Sequence, residues 1–176
     1  MSEIPRGRSE THDGDAHLLR YTVELPHPQV AVWAAVATPE GLPAWLCTAD
    51  PLEPRLGGRV TLRRLDGDTA VSGRVTAWDP EYVAEYTVDP PHGRIRFHLE
   101  PGPDHGASTV LRFTAEFHGT RDARLDALAD WHERLERLVR ALDGHPTDRH
   151  DRSADRWREL RELYERDAAP WPRWEP

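Results

Sequence analysis

The sequence contains no lysine; all 23 of its basic residues are arginine. The simplest source is the codon usage of a GC-rich genome rather than a functional demand for guanidinium. Only one cysteine is present, Cys47. That excludes an internal disulfide and any zinc site built on cysteines. Cys47 follows the apolar "AWL" and reads as a buried, inert thiol. No apolar run approaches the roughly 20 residues of a membrane helix. The first 17 residues, "MSEIPRGRSETHDGDAH", lack the apolar stretch of a signal peptide, so a cytoplasmic location is expected. A positive balance is also missing, since the formal net charge is -8. This argues against a nucleic-acid partner, which calls for a basic face. Phosphate loops of the GxxxxGK[ST] or GxGxxG type, HxH and HExxH metal motifs and a GxSxG nucleophile elbow are all absent. No cofactor, metal or catalytic set is therefore expected.

What is there is hydrophobic periodicity. "LLRYTVEL" (18–25) alternates Tyr21, Val23 and Leu25 against Arg20, Thr22 and Glu24, which predicts a strand. "HPQVAVWAAVA" then places Val30, Trp33, Ala34 and Ala37 at helical spacing. Thr38-Pro39 reads as a helix restart, because Thr can accept from orphan amides and Pro fits the first helical position. That second short helix ends near Trp45-Leu46. From Gly58 to Phe117 five further runs alternate as strands of an antiparallel meander. Asp66-Gly67 marks a hairpin turn between the first two. A long helix over 122–142 follows, with Leu125, Leu128, His132, Leu135, Val139 and Leu142 in one stripe. Gly144 and Pro146 end it. Residues 1–17, with Ile4 as their one aliphatic side chain after Met1, read as a flexible tail. Residues 144–176 read as a helical extension, with Trp157, Leu160, Leu163 and Tyr164 on one side, closing in the proline-rich "APWPRWEP".

This order, with the words "VWAAVATPEGLPAWL" (32–46), "RLGGRV" (55–60), "SGRVTAWDP" (72–80) and "DWHERLERLVRAL" (130–142), resembles the SRPBCC superfamily. Within this START-like, helix-grip fold it is most similar to the domain of the Hsp90 ATPase activators, in its bacterial stand-alone form. The resemblance covers residues 18–143. It implies an α+β fold, with a curved antiparallel sheet of about six strands wrapped around the long helix. It also implies a cavity between the sheet, the long helix and the two short ones, used across the superfamily for lipids, sterols, polyketides and plant hormones. Some members are cyclases or hydrolases. Two positions depart from the family pattern. Asp130 stands where a glycine is usual, and Tyr86 where many members carry a tryptophan.

A small apolar or amphipathic ligand is thus the expected partner. Candidate cavity residues are Trp33, Trp45, Tyr86, Phe97, Phe113, Trp131, His132 and Leu135. Tyr86 and Trp45 are expected to frame the cavity mouth, in a cavity of roughly 300–1,000 Å³. His132 is either a histidine at the edge of the core, satisfied by a carbonyl or water, or a polar anchor for a ligand. Arg64 could place a cation near the cavity, and Arg55 belongs in a solvated loop. His12, His17, His145 and His150 fall in segments read as solvated. An Hsp90-activator-like interaction module is the alternative function, and a cyclase-like enzyme a more distant one. The aromatic face of the C-terminal extension packs on its own domain or across a homodimer. The pair Gly57-Gly58 turns the chain into the meander rather than cradling a phosphate, since it follows a loop and opens a strand.

Overall fold

The structure, a computed structural model of the chain, describes residues 3–65, 67, 69–90, 93–147 and 154–168. The alternating runs become strands of one open, fully antiparallel sheet of eight strands: β1 (Arg8–His12), β2 (Ala16–Leu25), β3 (Cys47–Leu52), β4 (Arg59–Arg64), β5 (Ala70–Asp79), β6 (Val83–Val88), β7 (Arg94–Pro101) and β8 (Thr109–His118). Their spatial order is β1-β2-β8-β7-β6-β5-β4-β3. The chain therefore crosses from β2 to the far edge and meanders back until β8 pairs with β2. Helix α1 (Gln29–Ala37) and a single 3-10 turn (Leu42–Ala44) make that crossing. Helix α2 (Arg121–Leu142) supplies the apolar stripe for the inner face, and α3 (Ala154–Ala168) packs on α2.

Side chains on the predicted inner faces are buried. They include Tyr21, Val23 and Leu25 of β2, Ile95, Phe97 and Leu99 of β7, and Leu111, Phe113 and Ala115 of β8. Helix α2 starts where Thr120 accepts from the Ala123 amide at 3.1 Å. Asp122 in its first turn and Arg140 in its last complement the helix dipole.

Four expectations need correction. The sheet has eight strands, not about six. The extra edge strand β3 contains Pro51 and a register shift between Ala49 and Leu52. An edge strand tolerates both, and neither leaves an alternation to read. The other addition is β1, so residues 8–12 do not form the flexible tail expected of 1–17. Asp13 and Gly14 both adopt positive φ in the β1–β2 turn. The connection is the three residues Asp13-Gly14-Asp15, and its Asp-Gly turn signal stands in the sequence. Ile4 is buried as well. The second short helix shrinks to one 3-10 turn, although Thr38 does accept from the Gly41 amide at 3.0 Å. Finally, α1 buries Val32, Val36 and Ala37, while Val30 is 60% exposed. The helix is thus rotated from the stripe expected. Asp66 and Asp68 of the β4–β5 connection, and residues 169–176, lie outside the described residues.

Gly57 and Gly58 have separate jobs. Gly57 has φ +77°, and a Cβ there would meet nothing within 4 Å. A Cβ on Gly58 would lie 2.4 Å from the Glu53 carbonyl oxygen. The Gly57 amide donates to the Val75 carbonyl, and the Val75 amide to the Gly58 carbonyl, each at 2.8 Å. The pair thus clips the entry of β4 to β5. Gly57→Ala is expected to cost about 1–2 kcal/mol, the left-handed penalty. Gly58→Ala should cost more, because backbone must move. Thermal unfolding of both variants tests this, at roughly 2–4 °C per kcal/mol for a chain of this size. A Gly58 variant that melts with the parent would defeat it.

Candidate functional site

An α-helix leaves its last carbonyls without intrahelical donors. At the end of α1 three successive carbonyls are reached by side chains. The Thr38 hydroxyl donates to Ala34 at 2.6 Å, the Trp45 indole to Ala35 at 2.9 Å and the Tyr86 hydroxyl to Val36 at 3.0 Å. Trp45 and Tyr86 are both fully buried. They do not frame a cavity mouth, because their polar tips are committed to α1. Burial holds the Tyr86 hydroxyl well above its ordinary range, so it stays a donor.

The other aromatic candidates form a continuous stack. Trp131 meets Phe113 at 4.4 Å between ring centroids, Phe113 meets Phe97 at 5.2 Å, and Phe97 meets Trp45 edge-on at 5.9 Å. Leu135 is fully buried beside them in the core. Trp33 lies apart, half-buried against Trp78 at 5.0 Å. The stack fills the space where a roomy cavity was expected. What remains is a pocket of about 50 Å³ at one end of it. Cys47, Leu62, Val88, Ile95 and Trp131 are the buried members of its lining, and Leu46 and Val71 are half-buried. Arg64 and Thr69, both exposed, mark its mouth together with half-buried Arg134. Of the eight sequence candidates only Trp131 is among the residues lining this pocket. Burial pushes the Cys47 thiol up to about 12, although the charge of Arg134 opposes it. The thiol is buried, as expected.

Arg134 was missed by sequence reasoning. Its guanidinium carbon lies 4.7 Å from the centre of the Trp131 ring, a cation–π contact. The three-residue spacing from Trp131 was the available signal. Arg64 does line the pocket. Arg55 is on the surface, paired with Glu53 at 2.6 Å. Two larger grooves lie on the protein surface. One, of about 490 Å³, is bordered by His12, Arg94 and His118. The other, of about 800 Å³, runs along Arg6, Arg8 and Arg20. Their charged groups are largely engaged, in pairs such as Arg94–Glu116, His118–Asp15 and Arg20–Glu10. His17 is buried rather than solvated, bonded to the Gly119 carbonyl at 2.7 Å and to the Thr11 hydroxyl at 2.9 Å. His150 lies outside the described residues.

His132 is buried but faces away from the pocket lining. Its Nδ1 is 2.7 Å from the Tyr164 hydroxyl, and its Nε2 is 3.5 Å from Glu136. The Tyr164 oxygen accepts from the Gly7 amide at 2.9 Å, and Glu136 is bound by Arg156. A proton on Nε2 lets Tyr164 donate to Nδ1 and satisfies every link. Its protein partners are therefore Tyr164, 32 residues away, and Glu136. The aromatic side of α3 packs on its own domain, with the Trp157 indole donating to Asp130 at 2.6 Å. This contact gives the Asp130 carboxylate a structural role in seating α3.

Two predictions follow from this geometry. Tyr86→Phe leaves the Val36 carbonyl without its donor, at about 1–3 kcal/mol; calorimetry should find a lower melting temperature, and an unchanged one would sink the capping role. Burial alone would raise the Glu136 carboxyl, yet hydrogen bonds from His132 and Arg156 bring it down to about 2. Because the folded value is depressed, its stabilisation is present above the ordinary value near 4.5 and is lost as pH falls toward 2. Glu136→Gln should therefore melt below the parent at pH 6, with the gap closing between pH 4.5 and 2. A gap independent of pH would contradict the assignment.

A comparison with curated proteins gives no match. Several solved structures share the fold. EF2215, a conserved protein of unknown function from Enterococcus faecalis, has a TM-score of 0.70 at 16% identity, covering 92% of this chain and 90% of that chain. CalU16 from Micromonospora echinospora also has a TM-score of 0.70, at 15% identity, covering 94% and 97%. MLL2253 from Mesorhizobium loti is 26% identical with a TM-score of 0.60, covering 73% of this chain and 99% of that one. Residues 26–143 match the family described as Activator of Hsp90 ATPase homolog 1-like protein. With the sheet, the long helix and this match in agreement, the chain belongs to that family, the Hsp90-activator-like branch of the SRPBCC superfamily.

Proposed function

We propose that the protein binds a small apolar or amphipathic molecule in the pocket between β4, β5 and α2. The observation that carries this reading is the lining: buried aliphatic groups and the Trp131 ring meet a mouth marked by exposed Arg64 and Thr69. Its volume, about 50 Å³, is far below the roughly 300–1,000 Å³ of a drug-sized site. At roughly 10–15 Å³ per water-sized probe, it holds about four such groups. The guest is therefore short, or buries only a short end. Neither a nucleophile nor an acid–base pair lines the pocket among the described residues, since the Cys47 thiol stays protonated. Binding rather than turnover is the activity this lining supports. The family description names Hsp90 ATPase activation, but the pocket itself gives that reading no support.

Ligand-observed NMR with linear alcohols and carboxylates of four to eight carbons tests the proposal. Saturation transfer is expected for the shorter members. It should vanish in Val71→Phe, where the larger ring fills the pocket from the half-buried wall. No transfer from any member, or transfer undiminished in that variant, would overturn the reading.

A further inference from the structure

We propose that the part of the guest taken into this pocket is a short saturated chain, and that Leu62 and Val71 set the length accepted; the inference rests on the binding reading above. Leu62 of β4 and Val71 of β5 are register partners, and both line the pocket. One step toward the opening the Arg64 amide donates to the Thr69 carbonyl at 3.2 Å, and these two residues mark the mouth. Successive residues on one face of a strand lie roughly 7 Å apart. The sheet wall is therefore layered, with Leu62 and Val71 as a collar behind Arg64 and Thr69. Buried Val88 and Ile95 continue the wall on the next two strands.

Arg64 and Arg134 at the mouth already have partners in the protein, so selection falls to the apolar lining. Trp131 is the one aromatic ring there, and it is engaged by Phe113 at 4.4 Å and by Arg134 at 4.7 Å. The rest of the buried lining is aliphatic apart from Cys47, which suits a saturated chain better than a second ring. The wall behind Trp131 is held in place, because the stack runs on through Phe97 to Trp45, whose indole is tied to the Ala35 carbonyl. The collar is backed by less. Only β3 lies beyond β4 in the sheet, and Val71 is half-buried. Depth is thus limited by these two side chains. At about 50 Å³ the pocket takes about four water-sized groups, so further carbons of a longer chain stay in water and add nothing.

NMR titration of the full chain with the linear alcohols from propan-1-ol to octan-1-ol decides the matter. In the parent, affinity is expected to rise about fourfold for each carbon buried and to level off at about four carbons. In Leu62→Ala and, separately, Val71→Ala the plateau should move out by about two carbons, so that hexan-1-ol binds at least about tenfold more tightly than butan-1-ol. Val71 is half-buried, so its variant reports even if Leu62→Ala is unstable. Val23→Ala, in the core but outside the pocket lining, should keep the parent's plateau. Benzyl alcohol should bind more weakly than butan-1-ol. A plateau unmoved in both pocket variants would overturn the length control while leaving the binding reading standing. A plateau that also moves in Val23→Ala would assign the effect to general loosening and overturn it too. Tighter binding of benzyl alcohol would overturn the saturated chain. Silence from every alcohol with the parent would remove the binding reading itself.

Discussion

The end of helix α1 sets the terms for the interior. Three consecutive carbonyls lack intrahelical donors; that of Ala34 lies at the surface, that of Ala35 is part-buried and that of Val36 is buried, where a missing donor costs about 1–3 kcal/mol. Thr38, Trp45 and Tyr86 supply the donors from three different places: the cap itself, the residue after the 3-10 turn, and the middle of β6. One requirement therefore ties the crossing connection to the sheet. It also commits the polar tips of two large aromatic side chains. The apolar bodies of these rings then build the stack that runs through Phe97 and Phe113 to Trp131. The interior is thereby largely filled by side chains, and the pocket of about 50 Å³ lies at the far end of the stack.

This explains which parts of the site were legible beforehand. Alternation in β2, β7 and β8 announces which side chains face inward, and the stripe from Leu125 to Val139 announces α2. Both signals depend only on periodicity, which survives translation from sequence to structure. Trp45 and Tyr86 show where it stops. Their inward orientation follows from pattern, but whether the indole and hydroxyl end on a guest or on a carbonyl depends on how α1 is placed. Strand β3 was hidden because Pro51 and a bulge break the alternation, and the edge position of β3 tolerates the proline. Strand β1 was hidden by its polar composition, since four of its five residues are exposed. Its hairpin turn, Asp13-Gly14, was the local signal that outweighed composition.

The segments outside the family match, 26–143, are bound to one another as well as to the core. Arg6 pairs with Asp167, the Gly7 amide meets Tyr164, and Ser9 accepts from Arg124 of α2. His132 is the reason these contacts converge. A histidine on the apolar stripe of α2 must find hydrogen-bond partners, because burying it unpaired is costly. Tyr164 and Glu136 satisfy it, and Asp130 fastens the same helix through Trp157. The polar position in the long helix and the presence of α3 are therefore two halves of one solution.

Helix α2 consequently serves two neighbours with adjacent residues. Trp131 and Arg134 line the pocket, while His132 and Glu136 are bonded to α3. Successive residues on a helix are turned by about 100°, from 3.6 residues per turn. The docking of α3 thus fixes the rotation at which Trp131 and Arg134 are presented. Behind them the wall is rigid, since Trp131 rests on Phe113 and the ring stack. The opposite wall belongs to β4 and β5, and there Val71 is only half-buried and Arg64 exposed. Any room a larger guest needs must come from that side, where the fewest packed contacts would be lost.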